Sequence, residues 1–384
     1  MQVRTATSVW QNEYSTWVVR DKHANAFSVL SNPVAARMAK ILGIADASAA
    51  PKCLACHALD VPAASRARTF DLTDGVSCES CHGPASNWLG PHTTKDWTHQ
   101  QSLDAGMYDD RDLIRRSEKC LTCHLGTREK TVDHEMIAAG HPDLYFELAS
   151  FQAVMPRHWA EKDPLADVRA LAVGQAVQLR EQLAKVAREA QSGNWPEFAD
   201  LDCFACHHSL TATKDSWRQQ LGYTGRKPGN PPWNLSRFVI LSEIAEAVDH
   251  AAAQQLSSQI DAVYALVSTP SSDRMQIASR ATAASETADR LARQFAGATF
   301  DPQSLLMSVA SRADSIAAQD ERSAEQAAMA MDTLFVAWSA RAKIENAPAI
   351  RAAIQALFKQ LEDPSAYNAY KFAAQMRALR ELLK

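Results

Sequence analysis

All eight cysteines of this chain fall into four copies of one pattern, C-x-x-C-H: Cys53, Cys56 and His57; Cys78, Cys81 and His82; Cys120, Cys123 and His124; Cys203, Cys206 and His207. Two thiols one helical turn apart suit thioether bonds to the two vinyl groups of a haem, and the histidine that follows reaches the iron from the proximal side. Paired C-x-x-C segments also build tetrahedral zinc sites, and a single one can be a redox-active dithiol. Neither alternative explains a histidine after the second cysteine in every copy. A disulfide framework belongs to short domains that lack a core. The pattern therefore predicts four covalently attached haem c groups, each carrying one iron.

Twelve histidines are present, so eight remain after the four proximal ones: His23, His92, His99, His134, His141, His158, His208 and His250. An iron with two histidines is closed and passes electrons, whereas an open position binds small molecules. His23 precedes an apolar helical pattern at Phe27 and Leu30, close before the first motif. His92 follows the second motif after the Gly83-Pro84 turn. His134 and His141 lie seven residues apart, two helical turns, and share a side. These four are the expected distal ligands. His99 and His158 each flank a tryptophan and suit hydrogen bonds to haem propionates equally well; His208 and His250 read as structural. Met107 and Met136 are the methionines nearest the motifs, and most methionines should fill core.

The elements that must position these groups are helical. The motifs crowd the first 207 positions, where haem must supply much of the core. Between the third and fourth, Asp163-Pro164 reads as a helix start, with Val168, Ala172, Leu179, Leu183 and Val186 at helical spacing and Gly193 at the close. Leu221 to Trp233 is rich in Gly and Pro and reads as a linker. From Asn234 onward the chain is Ala-rich and Cys-free. Helix breaks are expected at Thr269 to Ser272, Asp301-Pro302, Asn346 to Pro348 and Asp363-Pro364. Phe238, Leu241, Ile244, Ala245 and Val248, and later Leu334, Phe335, Trp338 and Ala342, carry the helical period. The expected architecture is mainly α. An irregular, haem-packed multihaem cytochrome c domain spans residues 1–220, a linker 221–233, and an antiparallel bundle of about five helices 234–384.

Bulk properties narrow the function. An apolar fraction of 46% against 22% charged residues predicts a folded chain rather than a disordered one. Forty basic and 44 acidic residues give −4, which favours no nucleic acid partner. A ferric haem with two histidines adds about +1 at iron and about −2 from its propionates, so four haems move the net charge to about −8 and favour redox protein partners that are basic near the docking haem edge. No run of about twenty apolar residues predicts a membrane span. Covalent haem attachment belongs to the export side of the bacterial membrane, so a periplasmic or otherwise external location is expected. The first residues, MQVRTATSVWQNEY, lack the features of a signal peptide, which points to a leader already removed.

Residues 13 to 220 carry a family resemblance. GVSCESCHGPASNWLGPH, the W-x5-H spacing of Trp17 and His23, and VDHEMIAAGHPDLYFELASFQAVMPRHW together resemble multihaem cytochromes c related to the tetrahaem protein that accepts electrons from hydroxylamine oxidoreductase in ammonia oxidisers. The resemblance implies an electron carrier, with His23 and His92 as distal ligands. It also implies an open haem at the position of the first motif, where His57 would be the only axial histidine, and hence an alternative activity on a small nitrogen or sulfur compound. The family usually has a further C-x-x-C-H before the tryptophan; here residues Gln2 to Trp10 hold no cysteine. No acid–base set marks a catalyst: Arg115, Arg116 and Lys130 suit propionates. Electron transfer is the expected role, and a haem-stacking assembly is the third reading.

Overall fold

The computed structural model describes residues 12–161, 163–193, 195–207 and 230–384. Helices dominate these residues, and their only strand-type pairing is an isolated bridge between Leu201 and Trp233. The chain is mainly α, as its apolar spacing predicts. Two compact units form: Met1–Leu144 with Phe151–Glu161, and Tyr145–Ser150 with Lys162–Lys384. That division differs from a boundary after residue 220. The fourth C-x-x-C-H motif and the Ala166–Ala190 helix belong with the Ala-rich helices. The expected linker lies, up to Gly229, outside the described residues, as does His208.

The first unit consists of short helical pieces, the longest being Leu113–His124. Several start where a polar side chain takes up the exposed amides of a first turn. Asn32 caps Pro33–Ile41, Thr98 forms a capping box with Gln101 at His99–Asp104, and Asp112 caps Leu113–His124. One small apolar cluster, Leu30, Ala39, Ala47, Leu54 and Ala58, is buried, with Phe27, Ile44 and Leu72 against it.

The second unit is organised differently. The Ala166–Ala190 helix is buried on most of its circumference, and Val168, Leu171, Val173, Val177 and Leu183 are fully enclosed. It packs on the Arg274–Ala296 helix, where Arg180 pairs with Asp289 at 2.7 Å and the Ser285 hydroxyl donates to the Arg180 carbonyl at 3.0 Å. These contacts explain the position of the domain boundary: helical spacing reveals a helix but not the surface it covers. Its Gly174 lets Leu148 approach closely, since a Cβ there would stand 2.7 Å from the Leu148 Cβ.

The described residues after Asn234 form eight helices rather than about five: Ser236–Val248, His250–Val267, Arg274–Ala296, Pro302–Ser311, Ala313–Ala317, Glu321–Ser339, Ala347–Gln360 and Ala369–Leu382. The expected breaks are present, with Asp301 capping a helix whose first residue is Pro302. The three unanticipated ones sit at Arg312, between two helices, and at Asp249 and Asp320, whose carboxylates accept from Ala252 and Ser323 amides. A mid-chain aspartate is a common surface residue, and only its non-helical backbone makes it a cap.

Candidate haem sites

Three of the four motifs lie in α-helix, in Pro51–His57, Cys78–His82 and the end of Leu113–His124, and the fourth starts with the 3-10 turn Cys203–Ala205. A helical turn presents both cysteines and the histidine on adjoining faces, which is the arrangement a covalent haem requires.

Three proximal histidines each meet a second histidine brought from elsewhere in the first unit. The ring centres are 6.3 Å apart for His57 and His141, 6.0 Å for His82 and His158, and 6.2 Å for His124 and His23. Within each pair the ring planes are nearly perpendicular, at 84°, 82° and 87°. These separations fit an iron between the rings. A metal–imidazole bond of about 2.0–2.1 Å puts two opposed nitrogens about 4 Å apart and the ring centres about 6 Å apart.

Five of the six rings also stand against an oxygen of the kind that a metal-bound histidine requires at its second nitrogen. His57 Nδ1 lies 2.8 Å from the Ala26 carbonyl, His141 Nδ1 2.7 Å from the Pro142 carbonyl, and His23 Nδ1 2.9 Å from Asp21 Oδ1. His82 Nδ1 is 2.9 Å from Asp110 Oδ2, and His158 bonds to the Pro156 backbone. A proton held at Nδ1 leaves the Nε2 lone pair for metal, and such partners fix the ring orientation. Burial pushes the His124 ring down to about 4, with His23 beside it adding to the effect. Burial likewise lowers His141 and His158. Neutral imidazole is the form that binds a metal.

The His23 position is built with particular care. Trp17, on the Glu13–Arg20 helix, donates its indole N–H to the Val76 carbonyl at 3.1 Å, and the Val76 amide donates to the His23 carbonyl at 3.1 Å. Asp21 accepts from both the amide and the ring of His23, and its hydrogen bond raises the basicity of that ring despite burial. Gly75 makes the approach feasible: its φ is +71°, and a Cβ there would stand 2.9 Å from the His23 carbonyl oxygen.

Two of the four histidines expected as distal ligands stand against a proximal ring. His23 and His141 each face a proximal ring. His158, for which a propionate contact is an equally good expectation, faces His82. His92 points its Nδ1 at the Leu89 carbonyl, 2.6 Å away, and packs edge-on against Trp88, which stands between it and the His82 region. His134 opens the His134–Ala139 helix behind its cap Asp133. His99 contacts Asp109 at 3.0 Å, and His250 pairs with Glu246 on the helix surface. Met136 is buried as core. No local spacing signals His158, because its contact with His82 spans most of the unit.

The motifs also approach one another. The Cys56 and Cys123 thiols are hydrogen-bonded neighbours, and this contact is the main cause of the depressed Cys123 value of about 5. Lys130 Nζ adds to it from 3.5 Å. Cys81 and Cys120 lie close enough to feel each other's charge. Arg116, one of the expected propionate partners, instead donates to the Asp110 carbonyl and to Gln152 Oε1. Arg115 and Lys119 stack over Tyr108.

No helix among the described residues is long and apolar enough to cross a membrane. No curated protein and no solved structure matches the chain. Residues 8–83, about a fifth of the chain and including the first two C-x-x-C-H motifs, match the family described as cytochrome c554 and c-prime; this match supports a c-type cytochrome that binds haem c covalently and works in electron transfer.

Proposed function

We propose that the protein is an exported tetrahaem c-type cytochrome that carries electrons between redox partners. The observation that supports this most strongly is the set of three histidine pairs with ring centres 6.0–6.3 Å apart. In this reading His57 and His141 would hold the first iron, His82 and His158 the second, and His124 and His23 the third. Cys203, Cys206 and His207 hold the fourth haem. Bound haem supplies reversible one-electron chemistry at iron. The chain supplies closed coordination, hydrogen bonds that tune ligand basicity, and proximity. The Cys56–Cys123 and Cys81–Cys120 approaches support a reading in which the third site would lie between the first and the second.

The pairing of His57 with His141 argues against an open iron at the first motif, the position on which a reaction with a small nitrogen or sulfur compound depends. It favours the carrier over the enzyme. His92 and His134 are assigned to none of these three irons. With haem propionates included, the protein is acidic, and its partners are basic proteins.

Low-temperature EPR of the oxidised holoprotein, with a pyridine haemochrome count, tests the reading. Four haems per chain and low-spin signals from the first three irons are expected. Replacing His158 with Ala should convert one iron to high spin, whereas His92→Ala should leave the spectrum unchanged. A His141→Ala variant whose low-spin signals match those of the parent protein would overturn the assignment at the first iron.

A further inference from the structure

One face of the Ala166–Ala190 helix is polar although it is buried. Gln175, Gln178, Gln182, Lys185 and Glu189 follow one another at intervals of three and four residues, which keeps all five side chains on one narrow stripe. The three glutamines are 0–1% exposed. Gln175 Nε2 donates to Gln326 Oε1 at 2.7 Å, and Gln326 Nε2 donates to the Phe146 carbonyl at 2.9 Å. Neither amide atom of Gln178 or Gln182 has a partner. Buried polar groups of this kind are satisfied by internal water, and leaving them bare costs stability. Over 14 residues the stripe runs about 21 Å along the helix.

The stripe ends in a compact charge cluster. Lys185 Nζ is 2.7 Å from Asp200 Oδ2 and 3.2 Å from Glu189 Oε1, and the three side chains are only 12–21% exposed. Arg237 contributes its charge from the Ser236–Val248 helix. Glu189 and Asp200 meet at hydrogen-bonding range, a contact that binds only when one of them carries a proton. With both ionised, Glu189 Oε2 is buried and has no donor. Burial, and then the charge of Asp200, push Glu189 up to about 8. Burial opposes ionisation of Asp200 too, but Lys185 and the hydrogen bonds to it hold its carboxyl below the usual range.

This cluster adjoins the fourth motif. Asp200 lies three residues before Cys203, and Arg322 ties the residue before Asp200 to Cys203, donating from Nη1 to the Ala199 carbonyl at 3.0 Å and from Nη2 to Cys203 Sγ at 3.4 Å. We propose that the Glu189–Asp200 pair is a proton-uptake site coupled to the haem carried by Cys203, Cys206 and His207, holding one proton more when that iron is ferrous than when it is ferric. The electron comes from a reduced partner protein, the proton from solvent, which reaches the partly exposed cluster, and the proton rests on Glu189. Losing one positive charge at the nearby iron makes the second carboxylate less favourable, so the pair takes up a proton. By reciprocity, the protonated pair makes the iron easier to reduce.

The inference rests on the tetrahaem reading, and the two fail separately. A pyridine haemochrome count on the holoprotein comes first: three haems instead of four would remove the fourth site and the inference with it. Redox titration across a series of pH values then reads the coupling. In the parent protein one of four potentials should fall as pH rises through the region around 8, approaching 59 mV for each tenfold change in proton concentration. Glu189→Gln should flatten that potential while keeping four haems and leaving the other three unmoved. A pH-independent fourth potential in the parent, or an undiminished slope in Glu189→Gln, would overturn the proposal. If that variant fails to mature, infrared difference spectra of the parent decide: a protonated carboxyl band must appear on reduction, and its absence refutes the site.

Discussion

The two units solve the problem of stability in opposite ways. In the second, Phe295, Phe372, Leu179, Leu183, Ile240, Leu256 and Ile260 are wholly enclosed by neighbouring helices. In the first, burial is confined to small clusters, and Val19 and Leu89 stand 78% and 61% exposed. A chain that leaves this much apolar surface open around four-residue turns has little core of its own to offset the entropy of ordering. Its histidines, by contrast, are held accurately by hydrogen bonds. The lesson is that the first unit is shaped to receive cofactors that complete its core, whereas the second is complete in protein.

The sharpest way to break this contrast is to withhold haem. Protein produced without haem attachment should lose protection in residues 12–144 entirely, while residues 234–384 stay protected; hydrogen exchange with mass spectrometry distinguishes the two, and equal protection would erase the difference. Next in size, Phe372→Ala should cost about 3–5 kcal/mol in the second unit, since a fully buried aromatic leaves a cavity. Denaturant unfolding followed by far-UV circular dichroism reads that loss, and the haem Soret band should persist to a higher denaturant concentration than the helical signal.

Gly174→Val should destabilise the same unit by about 1–3 kcal/mol, because the new side chain meets Leu148 and the core must shift. The same denaturant series measures it. His23→Ala should leave global unfolding nearly unchanged but convert the third iron to high spin, as seen by EPR, since the ligand cluster of Asp21, Trp17 and Gly75 positions a ring and not a core. At the small end, Lys52→Ala removes a surface pair with Asp133, 2.7 Å apart, and should cost less than about 1 kcal/mol. A larger cost would mean that surface electrostatics hold the first unit.

Much of the architecture was legible in the residue order. The helix from Val168 to Val186 and the break at Asp301-Pro302 follow from periodicity and capping, which act over one or two turns. The extra breaks at Asp249 and Asp320 were not legible, since aspartate is equally at home on an exposed helix face. The burial of the polar stripe from Gln175 to Glu189 was not legible either, since it depends on the helices that surround it. The fourth motif was placed with the other three by its sequence pattern, yet the helix before it carries it into the second unit.

The sequence by itself determined the number and place of the C-x-x-C-H motifs and the helical character of the chain, because both depend on groups a few residues apart. Only the tertiary structure decided which histidines meet. A distal ligand must arrive from the opposite side of the iron, so its partner is distant in the chain by necessity. His158 facing His82, rather than the nearer His92, is a consequence of the path the backbone takes between them.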